Sequence, residues 1–234
     1  MLDKTNVLLI AGALVLAAVL FGRYAAAERA VSLPAPSADV LAALPTPMKD
    51  RETAVFAGGC FWGIQAVFQH TNGVLNAVSG YAGGPASMAD YSSVSGGNTG
   101  HAEAVQVTFD PKQISYAQLL QIFFSVAHDP TQFNRQGPDS GTQYRSALFY
   151  LSPEQKLATE RYIAQLNAAH VFPDKIVTQL NALQGFYPAE KNHQNYATLH
   201  PSDGYIAHFD LPKIANLQKL MPAVYRETPV LVAQ

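Results

Sequence analysis

Between Thr53 and Leu151 the apolar residues change their spacing repeatedly, and the order of those changes leaves few folds open. Thr53–Gly58 is a short apolar run that reads as a buried strand. Phe61, Ile64, Val67 and Phe68 then recur at helical spacing over Phe61–His70. Gly73–Tyr81 reads as a strand, and Pro85–Gly100, full of Gly, Ser and Asn, as a loop. Across Glu103–Phe109 the residues Glu103, Val105, Val107 and Phe109 share one strand face, until Asp110-Pro111 ends it. Ser115 caps a helix to Ala127, with Tyr116, Leu119, Leu120, Phe123 and Phe124 on one stripe. His128–Gly141 is a polar loop and Tyr144–Leu151 a strand. Ser152-Pro153-Glu154-Gln155 supplies a cap, Pro at the first helical position and Gln three residues after the cap, opening a helix to Ala169. Lys175–Leu180 is a candidate for a further strand. The order β-α-β-β-α-β is the split βαβ (ferredoxin-like) pattern, so the expected fold class is α+β: a two-layer sandwich with a mixed sheet and helices over one face. No break divides residues 51–210, which read as one domain. Residues 211–234 hold a short helix-like run and a Pro-punctuated tail with no assigned role.

The N-terminus is different in kind. Val7–Gly22 is an uncharged apolar run of 16 residues, longer than most signal h-regions and shorter than most spanning helices. Ala25-Ala26-Ala27 after it has the small-x-small form of a cleavage site. Residues 1–27 are therefore read as a secretory signal in preference to an uncleaved membrane anchor, with export to a bacterial periplasm or cell envelope. Residues 28–50, rich in Ala and Pro, are read as a tether.

One cysteine, Cys60, stands in Gly58-Gly59-Cys60-Phe61-Trp62-Gly63, where a strand gives way to a helix. A thiol in the first turn of a helix faces unpaired N–H groups and the positive end of the dipole, both of which favour the reactive thiolate. The competing reading is an inert buried cysteine. Phe61 and Trp62 follow directly; both cannot face the core from adjacent positions, so one of them is expected to line a pocket suited to a methyl or thioether. Glu103 shares its strand face with apolar residues. If that face is inward, burial keeps its carboxyl protonated near neutral pH and makes it a proton donor; if outward, it is an ordinary solvated Glu. Tyr91, Asp139 and Tyr144 lie in or beside the two polar loops. Tyr hydroxyls there can donate to an oxygen gaining charge, and Asp139 can hold a water or orient a donor.

Composition closes several alternatives. A lone cysteine forbids an internal disulfide and a thiolate-only metal cluster. With 15 Lys+Arg against 17 Asp+Glu, no basic nucleic-acid surface is expected. Seven histidines show no His-Glu-x-x-His, and no Gly-x-Gly-x-x-Gly or Walker motif occurs, so neither metal nor nucleotide cofactor is expected.

Several blocks, in order, resemble the peptide methionine sulfoxide reductase A family: Gly59-Cys60-Phe61-Trp62-Gly63, Gly80-Tyr81-Ala82-Gly83-Gly84, Gly100-His101-Ala102-Glu103-Ala104-Val105 and Asp139-Ser140-Gly141-Thr142-Gln143-Tyr144-Arg145-Ser146, then Ala189-Glu190 and His193-Gln194. The resemblance spans Thr53 to Asp210. It implies reduction of the S epimer of methionine sulfoxide, free or in peptides. Cys60 would be the nucleophile, Glu103 the acid that protonates the departing oxygen, and Tyr91 and Tyr144 its hydrogen-bond donors. Asp139 would organise water and substrate backbone, and Phe61 and Trp62 would cage the S-methyl group. Gln65 replaces a Glu common in the family and is not expected to touch the chemistry. Many members carry C-terminal cysteines that resolve the oxidised nucleophile; Tyr205–Phe209 and the tail contain none. The expectation is a one-cysteine cycle in which an external thiol, from a thioredoxin-like partner or a small thiol, reduces Cys60 sulfenic acid. Two other functions remain open at this stage: a Cys60–His193 hydrolase, with Asn192 or Asn195 nearby, and a module that binds oxidised methionine without turnover.

Overall fold

The computed structural model describes residues 29–46 and 49–233. The export segment expected at residues 1–27 lies outside the described residues. After one turn of helix α1 (Ala38–Leu41) the chain forms β1 (Glu52–Ala57), α2 (Phe61–Gln69), β2 (Val74–Ala82), the short α3 (Tyr91–Ser95), β3 (Ala102–Phe109) and α4 (Tyr116–Ile122). It continues through a small hairpin, β4 (Arg135–Gln136) and β5 (Asp139–Ser140), then β6 (Ala147–Tyr150), α5 (Pro153–Ala168), β7 (Gln179–Ala182), β8 (Phe186–Pro188), α6 (Tyr196–Leu199) and α7 (Leu211–Leu220).

Six strands form one mixed sheet in the order β7-β6-β1-β3-β2-β8. β1 and β2 each pair antiparallel with β3, so they run parallel to each other with β3 between them. β6 pairs antiparallel with the far edge of β1, and β7 parallel with β6. Each βαβ unit is thus split by a strand of the other, as the element order implies. The reason lies in the alternation. Ala54 and Phe56 of β1 and Val105, Val107 and Phe109 of β3 all enter one core, with Ile64, Val67 and Phe68 of α2 and Leu119, Leu120, Phe123 and Phe124 from α4 and its extension. Phe56 stacks on Phe68 at 4.8 Å and meets Phe123 at 5.0 Å. Each such ring removed from water stabilises the fold by about 1.5–3 kcal/mol. The opposite sheet face is mostly alanine, Ala57, Ala82, Ala102, Ala104 and Ala147, with Val55 and Phe149, and Leu183 and Phe186 pack against it.

Four expectations are corrected. Pro85–Gly100 is not all loop, because Asp90 accepts from the Ser93 amide at 3.0 Å and caps α3. His128–Gly141 folds into the β4–β5 hairpin. The expected strand at Lys175–Leu180 is displaced to Gln179–Ala182, where it finds β6 as a partner. Of the expected tether at 28–50, the described residues 29–46 pack on the domain: Leu33, Val40 and Ala43 enter the core, the Val31 amide donates to Ser125 O at 2.9 Å, and Tyr162 Oη to Pro34 O at 2.9 Å. An extended Pro-rich chain keeps its carbonyls free for donors such as the side chains of α5.

His128 holds the β1–α2 turn from behind. Its Nδ1–H donates to Phe123 O at 3.0 Å, its Nε2 accepts from Ser146 Oγ at 2.7 Å, and its ring stacks on Phe123 at 4.0 Å. Burial pushes its pKa down from 6.5 to about 4, so it is neutral when folded. The unfolded chain therefore binds a proton that the folded one refuses between those values, and stability present above pH 6.5 is lost as pH falls towards 4. We predict that His128→Gln, although less stable than the parent at neutral pH, has a flatter acid limb. The parent should lose on the order of 3 kcal/mol more than the variant between pH 6.5 and 4, as read by urea unfolding.

Candidate active site

The strand-to-helix turn brings the thiol to the surface of the core. Gly59 has φ +95°, and a Cβ there would meet Gln136 Cγ at 2.6 Å, so only glycine lets the β4–β5 hairpin close over this turn. Cys60 is the N-cap of α2, and its side chain makes no capping hydrogen bond. The first free amide of the helix, Phe61 N–H, donates instead to Glu103 Oε2 at 3.0 Å. Glu103 lies on the inward face of β3, 2% exposed, which decides between its two sequence readings. Burial pushes its carboxyl up to about 8, against the Phe61 hydrogen bond, so near pH 7 it is predominantly protonated.

The expected resting thiolate is corrected by the same geometry. Burial pushes the Cys60 thiol well above its ordinary range; Glu103, Asp210 and Asp139 add to that by charge, and the Trp62 amide opposes it. The helix start supplies the Trp62 N–H to the sulfur, while the Phe61 N–H is taken by the acid.

Cys60, Phe61, Trp62, Tyr91, Glu103, Asp139, Tyr144 and Tyr205 line one cavity of about 180 Å³. The seven residues given roles in the reductase reading therefore line one cavity, and Tyr205 joins them. Each arrives by its own support. Tyr91 opens α3, and its amide donates to Glu190 Oε1 at 2.9 Å; Tyr81 Oη donates to the other oxygen of Glu190 at 2.9 Å. Tyr144 ends a tight turn pinned by the Arg145 guanidinium, which donates to Thr142 O at 2.7 Å and to Gly100 O, at the entry to β3, at 2.9 Å. Asp139 accepts a hydrogen bond from Tyr205 Oη. Burial pushes the phenols of Tyr91, Tyr144 and Tyr205 upward, so they stay protonated donors.

Trp62 is backed by aromatic rings: Tyr196 stacks on it at 3.9 Å and His193 lies at 5.8 Å. His193 also sits 4.3 Å from the Tyr91 ring, and is not on the cavity wall with Cys60. The charged groups that raise the thiol are the carboxyls of Glu103, Asp210 and Asp139, and the candidate base His193 does not line the cavity with Cys60, so the Cys60–His193 pairing expected for a hydrolase is not formed there. Gln65 is buried away from the cavity; it donates to Gln194 Oε1 at 2.8 Å and accepts from the Asn195 amide at 2.8 Å. Glu190 stands in the Ala189-Glu190 block of the resemblance but was given no role there, and Tyr205 and Tyr196 were not singled out, since nothing local marks them among 11 tyrosines. Among the described residues no group of three or more His, Cys, Asp or Glu side chains is placed to hold a metal ion.

Comparison with known proteins places this geometry in a family. The model described as peptide methionine sulfoxide reductase matches residues 52–223. A peptide methionine sulfoxide reductase of Mesorhizobium japonicum is 57% identical over 181 residues, covering 77% of this chain and 93% of the relative. One from Deinococcus radiodurans is 52% identical over 173 residues, covering 74% and 84%. Among solved structures, reduced Mxr1 from Saccharomyces cerevisiae is similar with a TM-score of 0.63 at 34% identity, covering 69% of this chain and 91% of that one. Methionine sulfoxide reductase A of Corynebacterium diphtheriae gives a TM-score of 0.57 at 33% identity, covering 74% and 85%. With a thiol at the mouth of α2, a neutral acid bonded to the next amide and a family model matched over the whole sheet, the chain belongs to the peptide methionine sulfoxide reductase family.

Proposed function

We propose that this protein reduces the S epimer of methionine sulfoxide, free or in proteins, by forming a sulfenic acid on Cys60 that an external thiol then reduces. The observation that carries the reading is a buried carboxyl, bonded to the amide next to the sole thiol and sharing a small cavity with it. Sulfoxide oxygen leaves poorly unless protonated, and Glu103 is the group held in the form that can protonate it. Phe61 and Trp62 form the apolar wall for the S-methyl group, and Tyr91 and Tyr144 donate to the oxygen as charge develops. Asp139, fixed by Tyr205, orders water and the substrate backbone. The indole N–H of Trp62 is buried without a protein partner, a donor that a bound peptide can satisfy.

In the first half-reaction the substrate S–O bond breaks and an S–O bond forms on Cys60 Sγ. The substrate sulfur gains two electrons and the cysteine sulfur loses two. The proton that Glu103 gives to oxygen is matched by the one the thiol loses, so the carboxyl ends neutral. No second cysteine exists to resolve the product. One external thiol therefore attacks the sulfenic acid, releasing water and leaving a mixed disulfide, and a second frees Cys60 as its own disulfide forms. A thioredoxin-like protein or a small thiol fits this chemistry. The proposed compartment is the bacterial periplasm or cell envelope, on the composition of residues 1–27.

One turnover without reductant should leave one added oxygen on Cys60, seen by mass spectrometry and trapped by a sulfenic-acid reagent. Confirmed turnover with no such adduct overturns the one-cysteine cycle. Glu103→Gln should slow reduction about 10²–10⁴-fold with little effect on substrate binding, and an unchanged rate refutes the acid role. The parent's kcat/KM should fall above pH 8, where Glu103 ionises. The same variant should gain stability. Because the folded pKa of about 8 lies above the unfolded value of 4.5, the parent's stability declines as pH rises between them. Urea unfolding should therefore show an advantage of Glu103→Gln that grows by a few kcal/mol from pH 4.5 to 8.

A further inference from the structure

Residues 224–233 lie beyond the part of the chain that the family model matches, yet they are tied down along the far end of α2. Val224 O accepts from the Asn72 amide at 2.7 Å, the Arg226 amide donates to His70 O at 2.8 Å, and the Val230 amide to Gln69 O at 3.0 Å. The last tie is the most specific. Asn195 Oδ1 accepts from the Val232 amide at 3.0 Å and Asn195 Nδ2 donates back to Val232 O at 3.0 Å. Gln69 Nε2 bonds the same Oδ1 at 2.8 Å, joining helix, clasp and tail. Asn195 is 2% exposed and adopts φ +61°, a left-handed conformation that must be held by its surroundings. The next residue is Tyr196, whose ring stacks on Trp62 at 3.9 Å and 15°.

We infer that the C-terminal tail, through its clasp on Asn195, positions Tyr196 behind Trp62 and thereby sets the shape of the substrate methyl site. Asn195 and Val232 are positioning residues that never meet the substrate. Without the Val232 bonds, the left-handed turn loses two of its hydrogen bonds, Tyr196 is freed to tilt, and the indole loses its backing. This deepens the function proposed above and rests on the reading of Trp62 as a wall of that site. The effect should therefore fall on substrate capture rather than on proton delivery from Glu103.

Trp62 is the only tryptophan in the chain, so its emission reports the stack directly. A full-length protein, a chain ending at Thr228, and the variants Asn195→Gly and Val232→Ala should be compared. Glycine accepts φ +61° without strain, so Asn195→Gly removes the clasp and keeps the turn available. The truncated chain and Asn195→Gly should both show red-shifted, more readily quenched Trp62 emission. Both should raise KM for a peptide sulfoxide about three- to tenfold with kcat within about twofold. Val232→Ala should match the parent in every readout, because the clasp uses only the backbone of that residue. If the truncated chain does not fold, Asn195→Gly alone decides. Folded clasp variants with unchanged emission and unchanged KM overturn the inference, as does a fall in kcat with emission and KM unmoved. A parent inactive on every sulfoxide would defeat the proposed reaction instead, while the emission comparison still decides whether the tail holds Trp62.

Discussion

The hydrogen bond from the Phe61 amide to Glu103 joins the two halves of the site. It runs from the first turn of α2 to the inner face of β3, at 3.0 Å and out of water. Without it a buried carboxyl would have no protein donor, and the residue beside the nucleophile would carry an unpaired amide. Both faults are cured by one contact, and that contact fixes how far the acid stands from the thiol. The glycines before Cys60, the hairpin over Gly59 and the His128 network behind the turn all serve to keep that register.

The site is held in electrostatic tension rather than in comfort. Its acid is kept neutral by burial, its thiol is kept protonated by burial and by neighbouring carboxyls, and its phenols are kept from ionising. Each group is thus stored in the form from which the reaction can proceed by moving protons internally. In the proposed reaction, a sulfoxide entering between them would meet a donor for its oxygen and a sulfur whose proton has somewhere to go. The burial that creates this state comes from a wall of aromatic side chains, Phe61, Trp62, Tyr91, Tyr144 and Tyr205, around the thiol and the acid.

Much of this was legible beforehand, and the failures are informative. The strand alternation at Glu103–Phe109 indicated which face the acid shares, because side chains on a strand must alternate. The Ser115 cap and the Ser152 helix start appear where their residues stand, because caps are local chemistry. The short helix α3 and the β4–β5 hairpin were hidden in runs of loop-forming residues, since two or five residues carry too little period to read. The Pro-rich segment before β1 looked like a spacer because its partners, Ser125, Tyr162 and Gln165, are distant in the chain. The thiolate was expected from the helix dipole, which is local; the acid that claims the Phe61 amide is 42 residues away.

The sequence by itself determined the main alternation of strands and helices, where the capped helices begin, and that Cys60 is the one thiol among the 234 residues. Those follow from properties a residue carries with its immediate neighbours: backbone preference, side-chain period and elemental composition. The tertiary structure decided which of 11 tyrosines reach the cavity, how far burial shifts Glu103 and Cys60, and that the last described residues run back along α2 to Asn195. These depend on how much water is removed from a group and on which distant partners replace it. Burial is a property of the assembled molecule, which no single stretch of the chain contains.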